Sequence, residues 1–304
     1  MAALALVVAA TAGCPRPENA KPLKYKIGFL LTLDHPYWHG MRRAAIDEGE
    51  KLDAEVLVLN AKEDPGIQIQ QIQEMIAKEV DAVCLAPMKK EALVTGVNAL
   101  NEAKIPVIIV NRDIGEGCDY VCYVGTDSYH GALVSARILM EAIGGEGKIV
   151  EFHQHLGTGP EKNRSRALAE VLQEYPKVKS VARLPHKGER ARVIAAMQTL
   201  LEQHPDLKGV YAHGDMFALA ASEACRQMGR PEVATVGMGG SKEAIQAIRD
   251  GRLTGTSFQQ PEQEGRRAVQ LAVKALQGEK LEKAYPIECP AITKENADQF
   301  EGQF

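Results

Sequence analysis

The sequence predicts an α/β protein whose parallel sheets are divided between two similar lobes. Short apolar runs typical of buried strands alternate along the chain with helix patterns of about ten residues or more, as in βαβ units. These runs give about ten or more strands, which exceeds what one open sheet comfortably holds. The chain has 304 residues, which is long for a single domain core and favours two domains.

The first predicted strand, residues 26–33, is an apolar run flanked by lysine and therefore suited to burial on both faces of a sheet. Asp34, His35 and Pro36 interrupt it. Tyr37 and Trp38 follow where a helix pattern starts, and Trp38 is the single tryptophan of the chain. Because ligands of open α/β sheets bind beyond the carboxyl ends of strands, this aromatic pair either lines a site or caps the core.

The remaining elements follow in alternation. Further strands are predicted at 54–60, 81–85, 106–110, 121–125, 148–153, 179–184, 209–213, 233–237 and 253–258. Helices are predicted at 67–78, 91–103, 128–142, 161–173, 190–203, 216–228, 241–249 and 261–276. Parallel strands joined in this way require right-handed crossovers.

Polar, aromatic and arginine side chains follow the predicted strands. The groups are Asp34 to Trp38, Ala86 to Met88, Asn111 to Asp113, Thr126 and Asp127, His153 to His155, His213 to Asp215, Met238 to Gly240, and Gln259 and Gln260. Such side chains at one sheet edge indicate a site for a polar small molecule. Asp127 and Asp215 also begin helices, where an aspartate commonly caps the first turn.

Composition and motifs exclude several classes of function. The net charge is −4 and no long basic block occurs, which argues against a nucleic-acid surface. The dinucleotide and serine-hydrolase motifs G-x-G-x-x-G and G-x-S-x-G do not stand at the expected places. C-x-x-C and H-E-x-x-H are missing too, and His153 and His155 are interpreted as hydrogen-bonding wall residues in preference to half of a metal site. No metal and no cofactor are expected.

The first fourteen residues are typical of an export signal. Residues 1–13 are an apolar run too short to span a bilayer, and Thr11-Ala12-Gly13-Cys14 resembles the lipobox of bacterial lipoproteins, in which the cysteine is lipidated. The alternative, a short buried helix, is disfavoured by the prolines that follow. Residues 15–23 are interpreted as a tether. The other five cysteines form no disulfide framework, although Cys118 and Cys122 could pair after export.

Several stretches, taken together and in order, resemble a known family. They are KIGFLLTLDHPYWHGMRRAAIDEGEKL, IPVIIVNRD, VGTDSYHGA, NRSRALAEVLQEYPKVKSVA, GVYAHGDMFALAASEA, VATVGMGGSKEAIQAIRDGRLTGTSFQQP and the LQGEK–YPIE ending. From Lys24 to about Pro290 the chain resembles the periplasmic sugar-binding proteins of the ribose-binding type, which are receptors of ABC importers. Repressors of the lactose type share this core, but they begin with a helix-turn-helix where this chain has an apolar segment.

The resemblance implies two doubly wound lobes that are joined by three hinge crossings and close on a ligand like a clamshell. The crossings are expected near Thr126, Gln259 and Pro286. The expected organisation is residues 1–23 as signal and tether, 24–126 plus 260–286 as the N-terminal lobe, and 127–259 plus 287–304 as the C-terminal lobe.

It also implies roles for individual side chains. Tyr37 and Trp38 match the aromatic pair that stacks on a sugar face, Arg112 and Arg164 match arginines that donate to the ligand, and Gln259 matches a hinge glutamine. For the arginines and the glutamine, surface or interlobe ion pairing is the alternative. The expected ligand-binding set is His35, Tyr37, Trp38, Asn111, Arg112, Thr126, His155, Arg164, Asp215, Met238 and Gln259.

The departures from the family pattern concern groups that hold hydroxyls. Asn111 stands where ribose binders have Asp, and His35 stands where they have Asn. Small residues replace further polar or aromatic ones at Ala86, Gly188, Gly214 and Gly239. Since each lost buried hydrogen bond costs about 1 kcal/mol, we expect a ligand larger or less hydroxylated than ribose: a derivatised sugar, a polyol with an apolar part or a nucleoside-like compound.

The sequence therefore predicts a monomeric, non-enzymatic receptor outside the cytoplasm. It would be anchored to the membrane through Cys14 and would deliver its ligand to the membrane subunits of an ABC importer. The alternative is a sensor that docks on a transmembrane kinase or chemoreceptor. An enzyme on the same fold is a third hypothesis, which no nucleophile–base arrangement supports.

Overall fold

A computed structural model describes residues 23–153, 159–185 and 188–304. The predictions for residues 1–22, including Cys14, and for His155 lie outside the described residues. Within these described ranges, no helix combines the length and apolar character needed to cross a membrane.

Strands and helices alternate through the described residues. The strands are β1 (Tyr25–Leu31), β2 (Ala54–Asn60), β3 (Ala82–Leu85), β4 (Val107–Val110), β5 (Cys122–Thr126), β6 (Gly147–His153), β7 (Val178–Pro185), β8 (Leu207–Ala212), β9 (Ala234–Gly239), β10 (Gly255–Phe258), β11 (Ala284–Ile287) and β12 (Ala291–Thr293). The helices are α1 (Pro36–Lys51), α2 (Pro65–Ala77), α3 (Val94–Glu102), α4 (Ser128–Ala142), α5 (Gly159–Glu174), α6 (Arg190–Gln203), α7 (Asp215–Gln227), α8 (Lys242–Arg249) and α9 (Pro261–Leu276). A short 3-10 helix covers Ala297–Gln299.

The described strands form two six-stranded sheets with equivalent strand orders. The first sheet has the order β11-β5-β4-β3-β1-β2, and all of its pairs are parallel. The second sheet has the order β12-β10-β9-β8-β6-β7, and only β12 runs antiparallel to its neighbour. Each sheet thus repeats the doubly wound pattern in which the strand order reverses beside the first strand. The predicted fold class, two α/β lobes with parallel sheets, is confirmed.

Each sheet has a hydrophobic core on both faces. In the first lobe, Phe29 packs with α1 and α9 on one face, while Leu30 packs with α2 and α3 on the other. In the second lobe, Phe152 faces α6, α7 and α8, and Ile149 faces α4 and α5. Strands buried on both faces are continuous apolar runs, which explains why the sequence pattern identified them.

Within the described residues, the chain passes between the two sheets three times. It leaves the first sheet after Thr126, where α4 packs on the second sheet. It returns after Phe258, since α9 packs against α1 and the first sheet. It crosses again between Ile287 at the end of β11 and Ala291 at the start of β12.

Candidate functional site

The aromatic pair of the first lobe is positioned by the start of α1. His35 is the exposed N-cap of this helix, and its Nδ1 accepts a hydrogen bond from the Tyr37 N–H at 3.2 Å. Pro36 occupies the first helical position, where its missing N–H has no cost. This start buries Tyr37 and Trp38 edge to face, with ring centroids 5.4 Å apart.

A buried carboxylate, Glu264 of α9, organises the polar groups around this pair. It accepts from the Tyr37 hydroxyl at 3.0 Å and from Asn111 Nδ2 at 2.9 Å. It also accepts from the Thr126 N–H at 2.8 Å and from the Thr126 hydroxyl. The Asn111 amide bridges this group further by donating to the Tyr37 oxygen at 2.9 Å. Glu264 therefore joins three predicted site residues into one network beside the crossing after β5.

Burial is the main electrostatic influence on this network. It raises the pKa of Glu264, and the hydrogen bonds from Thr126 and Asn111 oppose that effect. Burial and the neighbouring Glu264 likewise raise the pKa of Tyr37 well above its ordinary value. The Tyr37 hydroxyl thus stays protonated and remains the donor to the carboxylate.

Asn111 and Arg112 lie at the turn after β4. Asn111 has a φ of +62°, a left-handed conformation that asparagine tolerates better than most residues. This turn brings the Arg112 guanidinium to 5.5 Å from the centre of the Trp38 ring, within the range of a cation–π interaction. Burial lowers the pKa of Arg112. Arg112 and Trp38 together form a charged and aromatic surface at this strand end.

The second lobe contributes Arg164 from α5. Its side chain is 6% exposed, one of its terminal nitrogens donates to the His213 carbonyl, and its Nε has no partner among the described residues. Burial lowers the pKa of Arg164, whereas the nearby Tyr211, Cys289, Tyr37 and Asp215 groups act in the opposite direction. Arg164 thus lies within electrostatic reach of first-lobe and second-lobe groups and retains an unused donor.

Three other residues of the expected ligand-binding set have contacts within the second lobe. Asp215 uses both carboxylate oxygens internally, accepting from the Thr256 hydroxyl at 2.6 Å and the Ser241 N–H at 2.7 Å. Met238 is buried in the hydrophobic core beside α4 and α5. The half-buried Gln259 donates its backbone N–H to the Gly239 carbonyl at 2.9 Å. Asp215 lies in the first turn of α7, but it does not cap this helix, because the N-cap is Gly214 and no side-chain hydrogen bond caps the helix. Its carboxylate instead joins the start of α7 to Thr256 of β10 and to Ser241 before α8.

A second buried network lies within the second lobe. Glu151 contacts His213 Nε2 at 2.9 Å and accepts from the Ser165 hydroxyl at 2.6 Å. Arg183 pairs with Glu151 at 3.3 Å. Burial lowers the pKa of His213, while the contact with Glu151 opposes this change. For Glu151 itself, burial acts to raise the pKa, but the hydrogen bonds from His213 and Ser165 outweigh it and the pKa is lowered.

Metal and disulfide chemistry find no support in the described ranges. No cluster of three or more potential metal ligands occurs within them. Cys84, Cys118, Cys122, Cys225 and Cys289 are free thiols. Burial raises the pKa of Cys225 to about 11 and that of Cys289 to about 12, so these thiols are unreactive near neutral pH.

Sequence reasoning missed Glu264, although the pattern contains a signal for it. Glu264 lies on the same face of α9 as the buried Ala268 and Leu271, so it is an isolated acid on an apolar helical stripe. An acid in that position requires buried donors, which the three crossing-proximal residues supply.

Comparison with known proteins gives a consistent match over most of the chain. A family model described as a periplasmic binding protein domain matches residues 28–280. The ribose import binding protein of Salmonella typhimurium is 28% identical over 266 residues, covering 88% of this chain and 89% of that protein. The D-apiose import binding protein of Paraburkholderia graminis is 28% identical over 273 residues, covering 88% of this chain and 86% of that protein.

Solved structures with a similar fold are also solute-binding proteins of ABC transporters. An ABC transporter periplasmic solute-binding protein from Actinobacillus succinogenes with bound D-allose has a TM-score of 0.85 and 25% identity, covering 91% of this chain and all of that chain (100%). An ABC transporter solute-binding protein from Bacillus halodurans with bound myo-inositol has a TM-score of 0.84 and 26% identity, covering 94% of this chain and 100% of that one.

Proposed function

We propose, because the chain belongs to the family of periplasmic binding protein domains, that it captures a sugar-like molecule between its lobes and delivers it to an ABC importer. The resemblance to sugar-binding proteins of the ribose-binding type is confirmed by the relatives, and the family consists of solute-binding proteins, not enzymes. The relatives' names describe import of ribose and D-apiose, and the same role is proposed here.

Arg164 is the observation on which this proposal depends. Arg164 is 6% exposed, and its Nε has no partner among the described residues. A buried cation with an unsatisfied donor is costly to maintain in a folded protein. A ligand hydroxyl or ring oxygen would satisfy that donor. Across the crossings, Trp38 and Arg112 offer an aromatic face and a second cation, which suits the C–H face and the hydroxyls of a sugar.

The proposed ligand has fewer hydroxyls than ribose or bears an apolar part. Ala86, Gly214 and Gly239 supply no side-chain hydrogen bonds at their strand ends, and the Tyr37 and Asn111 polar groups are engaged by Glu264. A derivatised sugar, a polyol with an apolar part or a nucleoside-like compound fits these groups. Calorimetric binding of plain ribose with nanomolar to micromolar affinity would contradict this part of the proposal.

In the proposed mechanism, the lobes rotate about the three crossings, and the closed form presents the surface that docks on the importer. We propose that Cys14 is lipidated and attaches the protein to the membrane. Replacing it, Cys14→Ser, is expected to release the protein from the membrane fraction, and unchanged fractionation would refute the anchor.

A thermal-shift screen over sugars, polyols and nucleosides tests the proposed function. A ligand that binds only the folded state raises the unfolding midpoint with concentration. We expect one chemical group of compounds to do so for the natural chain and to lose its effect in Arg164→Met. A screen in which no compound raises the midpoint would overturn the proposal.

A further inference from the structure

The segment Phe300–Phe304 extends from the second lobe toward the first. It is held on the second lobe by Arg249, which donates to the carbonyls of Ala297 at 3.0 Å and Phe300 at 2.9 Å. The Phe300 ring packs against Phe258 with centroids 5.3 Å apart. The start of the segment is thus fixed to the lobe formed around the second sheet.

The last residues of this segment contact both lobes. The Phe304 carbonyl accepts from the Lys242 N–H at 3.0 Å, at the start of α8 in the second lobe. The Gln303 side chain accepts from the Glu262 N–H at 3.1 Å, in the first turn of α9, which packs on the first lobe. Phe304 is therefore held between the two lobes from both sides.

The Phe304 ring lies between two strand ends. Its centroid is 5.3 Å from that of Tyr37, in an edge-to-face arrangement. On the other side, a Cβ built on Gly239 would lie 3.4 Å from Phe304 Cζ and 2.8 Å from an Asp215 oxygen. Gly239 also has a φ of +153°, a conformation that favours glycine. The half-buried Phe304 ring thus adjoins Gly239, where the resemblance to ribose binders implied a hydroxyl-holding side chain.

We propose that Phe304 is a specificity-determining wall of the interlobe site. This inference rests on the proposed function and names the ligand chemistry that the site selects. The groups around the ring offer few hydrogen bonds, because the Tyr37 hydroxyl is engaged by Glu264 and Asp215 is engaged by Thr256 and Ser241. A ligand hydroxyl facing Phe304 would lose its water partners without replacement, so the wall favours a deoxy carbon, a methyl group or an aglycone there.

Matched sugar pairs test this role by calorimetry. The pairs are D-ribose with 5-deoxy-D-ribose, D-allose with 6-deoxy-D-allose, and myo-inositol with a deoxy-inositol. We expect the natural chain to prefer the deoxy member of the pair that it binds most tightly. Phe304→Ala should weaken binding of that member about tenfold, since an aromatic contact and its buried area are lost, and should reduce the preference. Phe304→Leu, which keeps an apolar wall, should retain the preference.

Phe300→Leu is the matched control, because Phe300 belongs to the same segment but packs on Phe258. It should leave both affinities unchanged. If Phe304→Ala weakens the affinity for both members of the pair equally, Phe304 serves only to hold the lobes together, and the specificity role is overturned. Unchanged or tighter binding would overturn it as well, the latter by showing that the ring competes with the sugar. If the natural chain binds none of the six compounds while the thermal-shift screen identifies another ligand, the proposed function stands and the preference for these deoxy compounds is overturned. If the screen identifies no ligand either, the proposed function fails and this inference fails with it.

Discussion

The two lobes have equivalent strand orders, yet the hydrogen-bonding groups around the ends of their strands differ. In the first lobe, Tyr37, Asn111 and Thr126 donate hydrogen bonds to Glu264. In the second lobe, Gly239 supplies no side chain, whereas Arg164 retains an unpartnered Nε among the described residues. The comparison teaches that topology sets where a site forms, while individual residues at strand ends and on the following helices decide whether a lobe's polar groups are already paired or retain free donors.

The largest expected effect comes from removing the centre of the first-lobe network. Glu264→Ala leaves four donors on Tyr37, Asn111 and Thr126 without their acceptor, so we expect the free energy of unfolding to fall by about 3 kcal/mol or more. Chemical denaturation measures the change. The neighbouring Gln263→Ala, on the exposed side of α9, is the control and should change the stability little. Equal free energies of unfolding for both variants would mean that the Glu264 network does not stabilise the first lobe.

Arg164→Met should show the converse behaviour in the second lobe. We expect ligand affinity to fall by about 10- to 100-fold, because a charge-assisted hydrogen bond is lost, while stability changes by less than about 1 kcal/mol, since a buried charge is also removed. Calorimetry and denaturation on the same samples measure both quantities. Arg166→Met is the control, because Arg166 stacks on Tyr129 at the exposed face of the same helix. A large loss of stability with unchanged affinity would make Arg164 a structural residue.

Asn111→Asp tests why this strand end lacks the aspartate that the resemblance to ribose binders led us to expect. The substitution would place a second carboxylate where an amide now donates to Glu264 at 2.9 Å. Repulsion between two buried carboxylates should lower the free energy of unfolding by about 2 kcal/mol. The partly exposed Asn98→Asp serves as the isosteric control in the same denaturation experiment. A variant as stable as the natural chain that gains affinity for ribose would contradict the account.

The smallest expected effect is a difference in pH dependence between the two buried networks. The pKa of His213 is lowered, so its contribution to stability is present above the ordinary value of 6.5 and is lost as the pH falls through the folded-state value. The pKa of Glu264 is raised, so its contribution is present below the ordinary value of 4.5 and is lost as the pH rises through the folded-state value.

Unfolding midpoints between pH 4 and 8 separate the two networks. His213→Asn should reduce the fall of the unfolding midpoint as the pH decreases below the ordinary histidine value. Glu264→Gln should reduce the fall of the midpoint as the pH increases above the ordinary glutamate value. Curves for the two variants that are parallel to that of the natural chain would show that neither group titrates on unfolding.

Much of the fold was predictable from local pattern, and the reasons are physical. The bounds of α4, α6 and α9 were predicted to the residue, since Asp127 caps α4 and Pro261 begins α9. β11 and β12 were not predicted as strands. β11 is largely exposed and contains Pro286, and only its pairing with β5 identifies it. The antiparallel direction of β12 likewise depends on tertiary pairing.

The site was less predictable than the fold. Residue types at strand ends indicated Tyr37, Trp38 and Arg112, and the structure brings these side chains together. The partners of Asp215 and the contact between Phe304 and Tyr37 join residues far apart in the chain. No local pattern encodes such pairings, and Glu264 was overlooked because its donors come from three separate strand ends.

The emission of Trp38 tests the central claim most directly, because it is the single tryptophan and lies beside Arg112 at the proposed site. A compound that raises the unfolding midpoint should change this emission in a saturable, one-to-one titration, with an affinity equal to that from calorimetry. A compound that stabilises the protein without altering Trp38 emission would place binding elsewhere and contradict capture between the lobes.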